Sequence, residues 1–328
     1  MRIVCLLACL FLTTSAWAQK ISYAVPKALR QQVTAADYRL LVDSAVAVVG
    51  RHYPVTRVAD GTLTLQVESI GEQQLGLQDL LSRCLAQPDR QQWGPLIRSY
   101  FTQVVSSVEA GRQLDPRRYD SVRLALSLRI YPAALVAQRG GTEQLVTRTD
   151  LPGTVTMLML DLPGTFSPVP RAAFAQWQQP EAAVFAQALA NVARQPVEKV
   201  SKDFDSPNGT KLTVNFLGNE DYAASYALEL AANAPGFIGE WGCALAMPNK
   251  GLVSTCAISR AHPLDFVQYI QLSQAVIAKS YQEHEQPISP DFYWYYQGKF
   301  TRIQVLTDKD GHVNVVAPLG LAALMTAK

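Results

Sequence analysis

Gly242-Cys243-Ala244-Leu245-Ala246-Met247, Pro248-Asn249-Lys250-Gly251 and Leu252-Val253-Ser254-Thr255-Cys256-Ala257-Ile258 form the stretch that decides the fold. Two short apolar runs, the second rich in β-branched residues, flank a turn made of Pro, Asn and Gly. Strands joined by so short a link pair antiparallel, because a parallel pair needs a long crossover. A helix follows directly. His262-Pro263 opens it, and Phe266, Ile270, Ser273, Ile277 and Tyr281 recur every three or four residues on one face.

The hairpin-then-helix order repeats along the chain. Residues 55–70 alternate around Asp60-Gly61, a hairpin turn, with helices expected over 78–85 and 94–109. Before them, Thr34-Ala35-Ala36-Asp37 resembles a capping box, and Tyr38, Leu41, Val42, Ala45, Val48 and Val49 keep one helical face. Strands are expected over 122–131, 145–149 and 155–162, then helices over 170–176 and 181–194. A hairpin over 197–204 and 211–216 leads to a helix over 220–232 that buries Tyr222, Tyr226 and Leu230. Segments 300–306 and 312–316 make the last hairpin, and the apolar tail 319–325 a terminal helix. This order predicts an α+β fold of hairpin-helix units with antiparallel or mixed sheets, not a doubly wound parallel sheet. The expected organisation is a signal peptide over 1–18, an N-terminal α+β unit over 19–112, a middle unit over 113–196 and a C-terminal unit over 197–328.

The leader reading rests on Arg2, the apolar run Ile3 to Leu12, and the small residues Ala16 and Ala18 of Ala16-Trp17-Ala18. This pattern predicts export and cleavage after Ala18, giving a secreted or periplasmic protein. Leu6-Leu7-Ala8-Cys9 also resembles a lipoprotein box, but the apolar run before Cys9 is short for one. Export removes ATP and most nucleotide chemistry from the expected substrates. The net charge of +2 loses one unit with Arg2, and the chain then has no long-range field for nucleic acid or anionic lipid. No later segment reaches the ~18 apolar residues of a membrane helix, so no transmembrane anchor is expected.

Three cysteines remain after the leader: Cys84, Cys243 and Cys256. A turn centred on Asn249 and Lys250 sets Cys243 opposite Cys256, close enough for a disulfide in an oxidising compartment. Two small buried strand residues is the other reading.

Chemical motifs are sparse. His52, His262, His284 and His312 stand at no metal-ligand spacing, and the chain has no H-E-x-x-H and no C-x-x-C, so no metal is expected. G-x-S-x-G, S-x-x-K, G-x-G-x-x-G and the Walker loop are also missing, and no cofactor is expected. Asp308-Lys309-Asp310-Gly311 opens like a calcium loop, but His312 and Leu319 stand where further ligands belong. Glu283-His284-Glu285 reads as a solvated helix end. Asn208-Gly209-Thr210 is a glycosylation sequon given no weight in a chain expected to be bacterial. Asp161 closes an apolar strand. It is either a catalytic carboxylate or an acid capping the turn that follows. Phe292-Tyr293-Trp294-Tyr295-Tyr296 is the densest aromatic group, and Tyr293, Trp294 and Tyr295 are either a ligand-stacking platform or sheet core.

Three stretches together resemble the YtpQ-like family of uncharacterised bacterial proteins, a domain of unknown function. They are Leu63-Thr64-Leu65-Gln66-Val67 with Leu77-Gln78-Asp79-Leu80-Leu81, then Leu158-Met159-Leu160-Asp161 with Phe174-Ala175-Gln176-Trp177 and Ala188-Leu189-Ala190-Asn191-Val192, then Ala244 through Gly251. The resemblance implies no activity and no catalytic residues. It marks Asp161, Trp177, Asn191 and the Pro248–Gly251 turn as positions to inspect, with Trp177 and Asn191 as ligand-binding candidates. Usual members look cytoplasmic, whereas this chain begins with a leader.

The sequence thus predicts an exported, non-catalytic protein that binds a small ligand or an envelope protein and no nucleic acid. The alternative is an envelope hydrolase in which Asp161 works with Glu240 or Asp205 as general acid and base.

Overall fold

A computed structural model describes residues 20–27, 30, 33–67, 71–87, 89–138, 141–163, 165–205, 211–309 and 313–327. The expected leader, the sequon at 208–210 and residues 310–312 of the last turn lie outside them. The fold is α+β, with 40% helix and 32% strand. The described residues pack as two compact units, those within 20–113 with 163 and 165, and those within 114–162 and 166–327.

The first unit contains β1 (Lys20–Ile21), α1 (Ala35–Val49), β2 (Val55–Ala59), β3 (Thr62–Val67), β4 (Gly71–Gly76), α2 (Gln78–Leu85) and α3 (Trp93–Gln113). Its sheet runs β1-β2-β3-β4, with β1 parallel to β2 and the other pairs antiparallel. Asp60 (φ 50°) and Gly61 (φ 76°) turn β2 into β3, as Asp-Gly predicts. Thr34 caps α1, its hydroxyl oxygen accepting from the Asp37 amide at 3.2 Å. Tyr38, Leu41, Val42, Ala45 and Val49 of α1 pack with Leu80 and Cys84 of α2 and with Ile97, Phe101 and Val105 of α3. Strand β4 was not expected: its Gly-bounded polar sequence carries no apolar alternation, and pairing with β3 alone makes it a strand.

The second unit starts with α4 (Tyr119–Val122), β5 (Leu126–Pro132), α5 (Ala133–Gln138), β6 (Thr147–Arg148), β7 (Thr154–Leu162), β8 (Thr165–Pro168), α6 (Arg171–Phe174) and α7 (Glu181–Val192). It continues with β9 (Glu198–Asp205), β10 (Lys211–Gly218), α8 (Ala223–Tyr226), α9 (Leu230–Asn233), β11 (Cys243–Asn249), β12 (Leu252–Ala257) and α10 (Asp265–Glu283). β13 (Phe292–Tyr296), β14 (Lys299–Thr307), β15 (Val313–Val316) and α11 (Leu319–Thr326) complete it. A small sheet, β5-β7-β6 with β8 also on β7, accompanies a seven-stranded antiparallel sheet in the order β15-β14-β13-β11-β12-β10-β9.

The decisive hairpin therefore lies at the centre of the large sheet. All seven residues of β11 are buried, as expected of a strand covered on both faces. One face, with Cys243, Leu245, Met247, Tyr293 and Tyr295, joins a core shared with Leu126, Leu128 and Leu158 of the small sheet and Val184 and Ala188 of α7. Residues assigned by sequence to separate middle and C-terminal units thus share one core. The other face, with Ala244, Ala246, Cys256, Phe292 and Trp294, packs under Phe266, Tyr269, Ile270 and Ile277 of α10 and Leu321 of α11.

The expected helix over 220–232 is broken into α8, a 3₁₀ turn and α9. Tyr226 and Leu230 are buried as expected, but Tyr222 stays partly exposed and precedes α8.

The proposed disulfide is absent; Cys84, Cys243 and Cys256 are free and buried. Two details of the hairpin set the difference. The turn lies at Lys250-Gly251, because Asn249 pairs with Leu252. A bulge then sets Met247 and Pro248 opposite Val253, so Cys243 pairs with Ala257 and Ala244 with Cys256. A one-residue slip sends side chains to opposite faces, and the two thiols enter different cores.

Candidate functional site

The residues chosen from sequence first proved structural. Tyr293 (0% exposed), Trp294 (7%) and Tyr295 (2%) alternate between the two cores of the large sheet. Their polar atoms are occupied: Tyr293 Oη bonds Ser289 Oγ at 2.8 Å and donates to Pro152 O at 3.0 Å, and Trp294 Nε1 donates to Trp241 O at 2.8 Å. They present no stacking surface; the sheet-core reading accounts for them. Trp177 is buried against Tyr119 and Phe174, and its Nε1 donates to Pro116 O at 2.8 Å. Asn191 on α7 is buried too. Its Nδ2 donates to Arg123 O at 2.8 Å and Leu126 O at 2.9 Å, securing the entry to β5.

Asp161 lies in a polar cluster. β7 carries it and β5, antiparallel beside β7, carries Arg129 on the same sheet face. The Arg129 side chain is only 5% exposed. Its Nη1 donates to the Asp221 carbonyl at 2.7 Å and its Nη2 to Asp221 Oδ1 at 2.6 Å. Lys250 Nζ, from the β11–β12 turn, donates to the same Oδ1 at 2.7 Å. The guanidinium stacks on Phe166 at 3.8 Å from the ring centroid, and Phe166 meets Tyr222 edge to face. The Tyr222 hydroxyl donates to Asp161 Oδ2. Asn219 fixes the loop, its Oδ1 accepting from the Asp221 amide at 2.8 Å and the Tyr222 amide at 2.9 Å.

This arrangement drives the two carboxylates apart in acidity. Burial raises the pKa of Asp161, helped by the Asp221 charge and opposed by the Tyr222 hydroxyl and Arg129. For Asp221 burial also pushes upward, but the hydrogen bonds and charges of Lys250 and Arg129 outweigh it and hold the group below the usual carboxylate range. Burial and the Asp161 carboxylate raise the Tyr222 phenol. One carboxyl shifted up beside one shifted down is the electrostatic pattern of acid–base pairs.

The acid acting on Asp161 is Asp221, not Glu240, which pairs with Arg260 at 3.5 Å on the surface; Asp205 is exposed at the end of β9. Sequence reasoning missed Arg129 and Asp221, took Tyr222 for a buried helix residue, and marked Lys250 only as part of the Pro248–Gly251 turn. Arg129 alone carried a signal: a charge in the apolar strand Leu126-Ser127-Leu128-Arg129-Ile130 must find a partner if that strand is buried.

A second feature of this unit is an apolar groove of about 520 Å³ lined by Trp241, Arg260, Pro263, Leu264, Met325 and Ala327. Its position follows from close backbone packing. Gly242 has φ 84°, and a Cβ there would stand 2.1 Å from Tyr295 O; only glycine lets the chain turn tightly from Trp241 into β11. Trp241 N then bonds Ile258 O at 2.9 Å, tying the groove's tryptophan to the segment that leads to Arg260.

Among the described residues, no helix is long and apolar enough to cross a membrane, and no three His, Cys, Asp or Glu side chains gather as a metal site. No family model, curated protein or solved structure matches the chain. The YtpQ-like resemblance finds no support in these comparisons.

Proposed function

We propose that this chain is an exported protein of the bacterial cell envelope that binds a ligand or a protein partner without catalysing a reaction. The observation that carries the reading is the groove beside α10 and α11, an apolar concavity with one charged side chain, which is the usual make-up of a binding site. The leader and the near-neutral charge support export and argue against a nucleic-acid partner. The test is site-specific photo-crosslinking in cells from position 264, with position 124 as a control. Leu264 and Leu124 are 57% and 65% exposed, but only Leu264 lines the groove. An adduct reproducibly formed from 264 and not from 124 supports the reading. Identical patterns from both positions would refute a groove-directed role.

The split acidities of Asp161 and Asp221 favour a second reading, an envelope hydrolase with Asp161 as general acid and ionised Asp221 as its partner. Turnover of an envelope polymer by wild-type protein, abolished in Asp161→Asn, is the result this reading requires. Equal turnover by the variant removes it.

A further inference from the structure

We propose that the groove binds a single-chain amphiphile, an acyl chain ending in one carboxylate, with Arg260 holding the carboxylate. The inference rests on the binding role proposed above and names the ligand class. Five of the six lining residues, Trp241, Pro263, Leu264, Met325 and Ala327, present apolar surface, and none is acidic. The volume of about 520 Å³ lies within the ordinary range of small-ligand pockets. Such a lining rewards a hydrocarbon body.

Arg260 is the one charged residue of the lining among the described residues, and it fixes the headgroup. Arg260 is 71% exposed and its nearest acid, Glu240, lies 3.5 Å away and is 53% exposed. Exposed pairs of this kind are worth little, so an incoming carboxylate displaces Glu240 at small cost. The guanidinium then offers the planar two-point donor geometry that suits a carboxylate. Arg260 lies between β12 and α10, so its rotation leaves the sheet undisturbed. Leu264, more than half exposed at the start of α10, is covered when the chain lies in the groove.

Isothermal titration of the leader-free protein with decanoate, held below its micellar concentration, tests this, with decan-1-ol as the uncharged comparison. The expected result is one decanoate per chain. Arg260→Gln should weaken decanoate about two- to fivefold, the loss of one solvent-exposed ion pair, and leave decan-1-ol unchanged. Leu264→Asp should weaken both. Both positions are on the surface, and circular dichroism verifies that the variants fold. Absence of saturable decanoate binding, uptake of many molecules per chain, or equal decanoate affinity in wild type and Arg260→Gln would overturn the proposal. A crosslinked partner at position 264 together with no decanoate binding would reject this ligand class and leave the binding role standing.

Discussion

Replacing Asp221 by asparagine tests the polar cluster most directly. The substitution keeps the size of the side chain and removes the charge that both Arg129 and Lys250 contact. Arg129 is the partner that matters, because its side chain is 5% exposed whereas that of Lys250 is 17% exposed. Breaking a buried ion pair from one side costs about 3–5 kcal/mol, mostly the penalty of a charge left without its counter-ion. Two features place this case at the low end. Asp221 is itself 35% exposed, so solvent screens the pair, and the Asp221 carbonyl still accepts from Nη1 at 2.7 Å. The expected loss is about 3 kcal/mol, or roughly 6–12 °C in melting temperature for a unit of this size. Urea unfolding followed by tryptophan fluorescence measures it, with the denaturant slope compared between variants to confirm that the same surface is exposed. If the charge left on Arg129 is the cause, Arg129→Met in the Asp221→Asn background recovers part of the loss. A loss below about 1 kcal/mol at unchanged slope, or a double variant no better than the single, would refute the reasoning.

Further outcomes follow from the same geometry. Asp161 has a raised folded pKa, so the native state binds its proton more tightly than the unfolded chain does, and its contribution to stability falls as pH rises from its unfolded value near 3.8 through the raised value. Asp161→Asn should therefore match or slightly exceed wild-type stability at pH 7 and lose that advantage in mild acid; pH-dependent melts read this. Asp221 has the opposite sign, its contribution being present above the unfolded pKa and lost as pH falls through the depressed folded value. The three buried thiols should stay inert to a thiol reagent in a native protein starting at Gln19 and all react in denaturant, since burial pushes Cys84 up to about 11 and Cys256 up to about 12, and raises Cys243 also; a mass identical before and after reduction would confirm that none is paired. Trp294→Ala should cost about 3–5 kcal/mol in the same urea assay, as removal of a core aromatic does, rather than altering a binding affinity.

How far the sequence was legible depended on how local each signal was. The Thr34 cap, the Asp60-Gly61 turn and the apolar faces of α1 and α10 all appear as expected, because a few neighbouring residues set each one. β4 escaped notice because its pairing with β3, not its composition, makes it a strand. The disulfide was misjudged because a bulge at Met247-Pro248 shifts the register by one residue, and one residue is enough to reverse a face. The aromatic run was visible, but a strand buried on both faces and a strand offering a platform have the same residues; only the layers above and below β13 separate them.

The polar cluster and the groove divide the matter most clearly. Asp161 was readable as an acid closing an apolar strand, and Lys250 as a turn residue, yet nothing local links them to Arg129 or Asp221. Asp221 is 92 residues from Arg129 and 29 from Lys250 along the chain. The sequence by itself determined the hairpins at Asp60-Gly61 and Lys250-Gly251 and the long helices α1, α3, α7 and α10 in their order, because periodicity and turn chemistry act over a few residues. Only the tertiary structure decided which charges meet, which rings are buried and where a concavity opens, because those follow from register and layer packing between segments far apart in the chain.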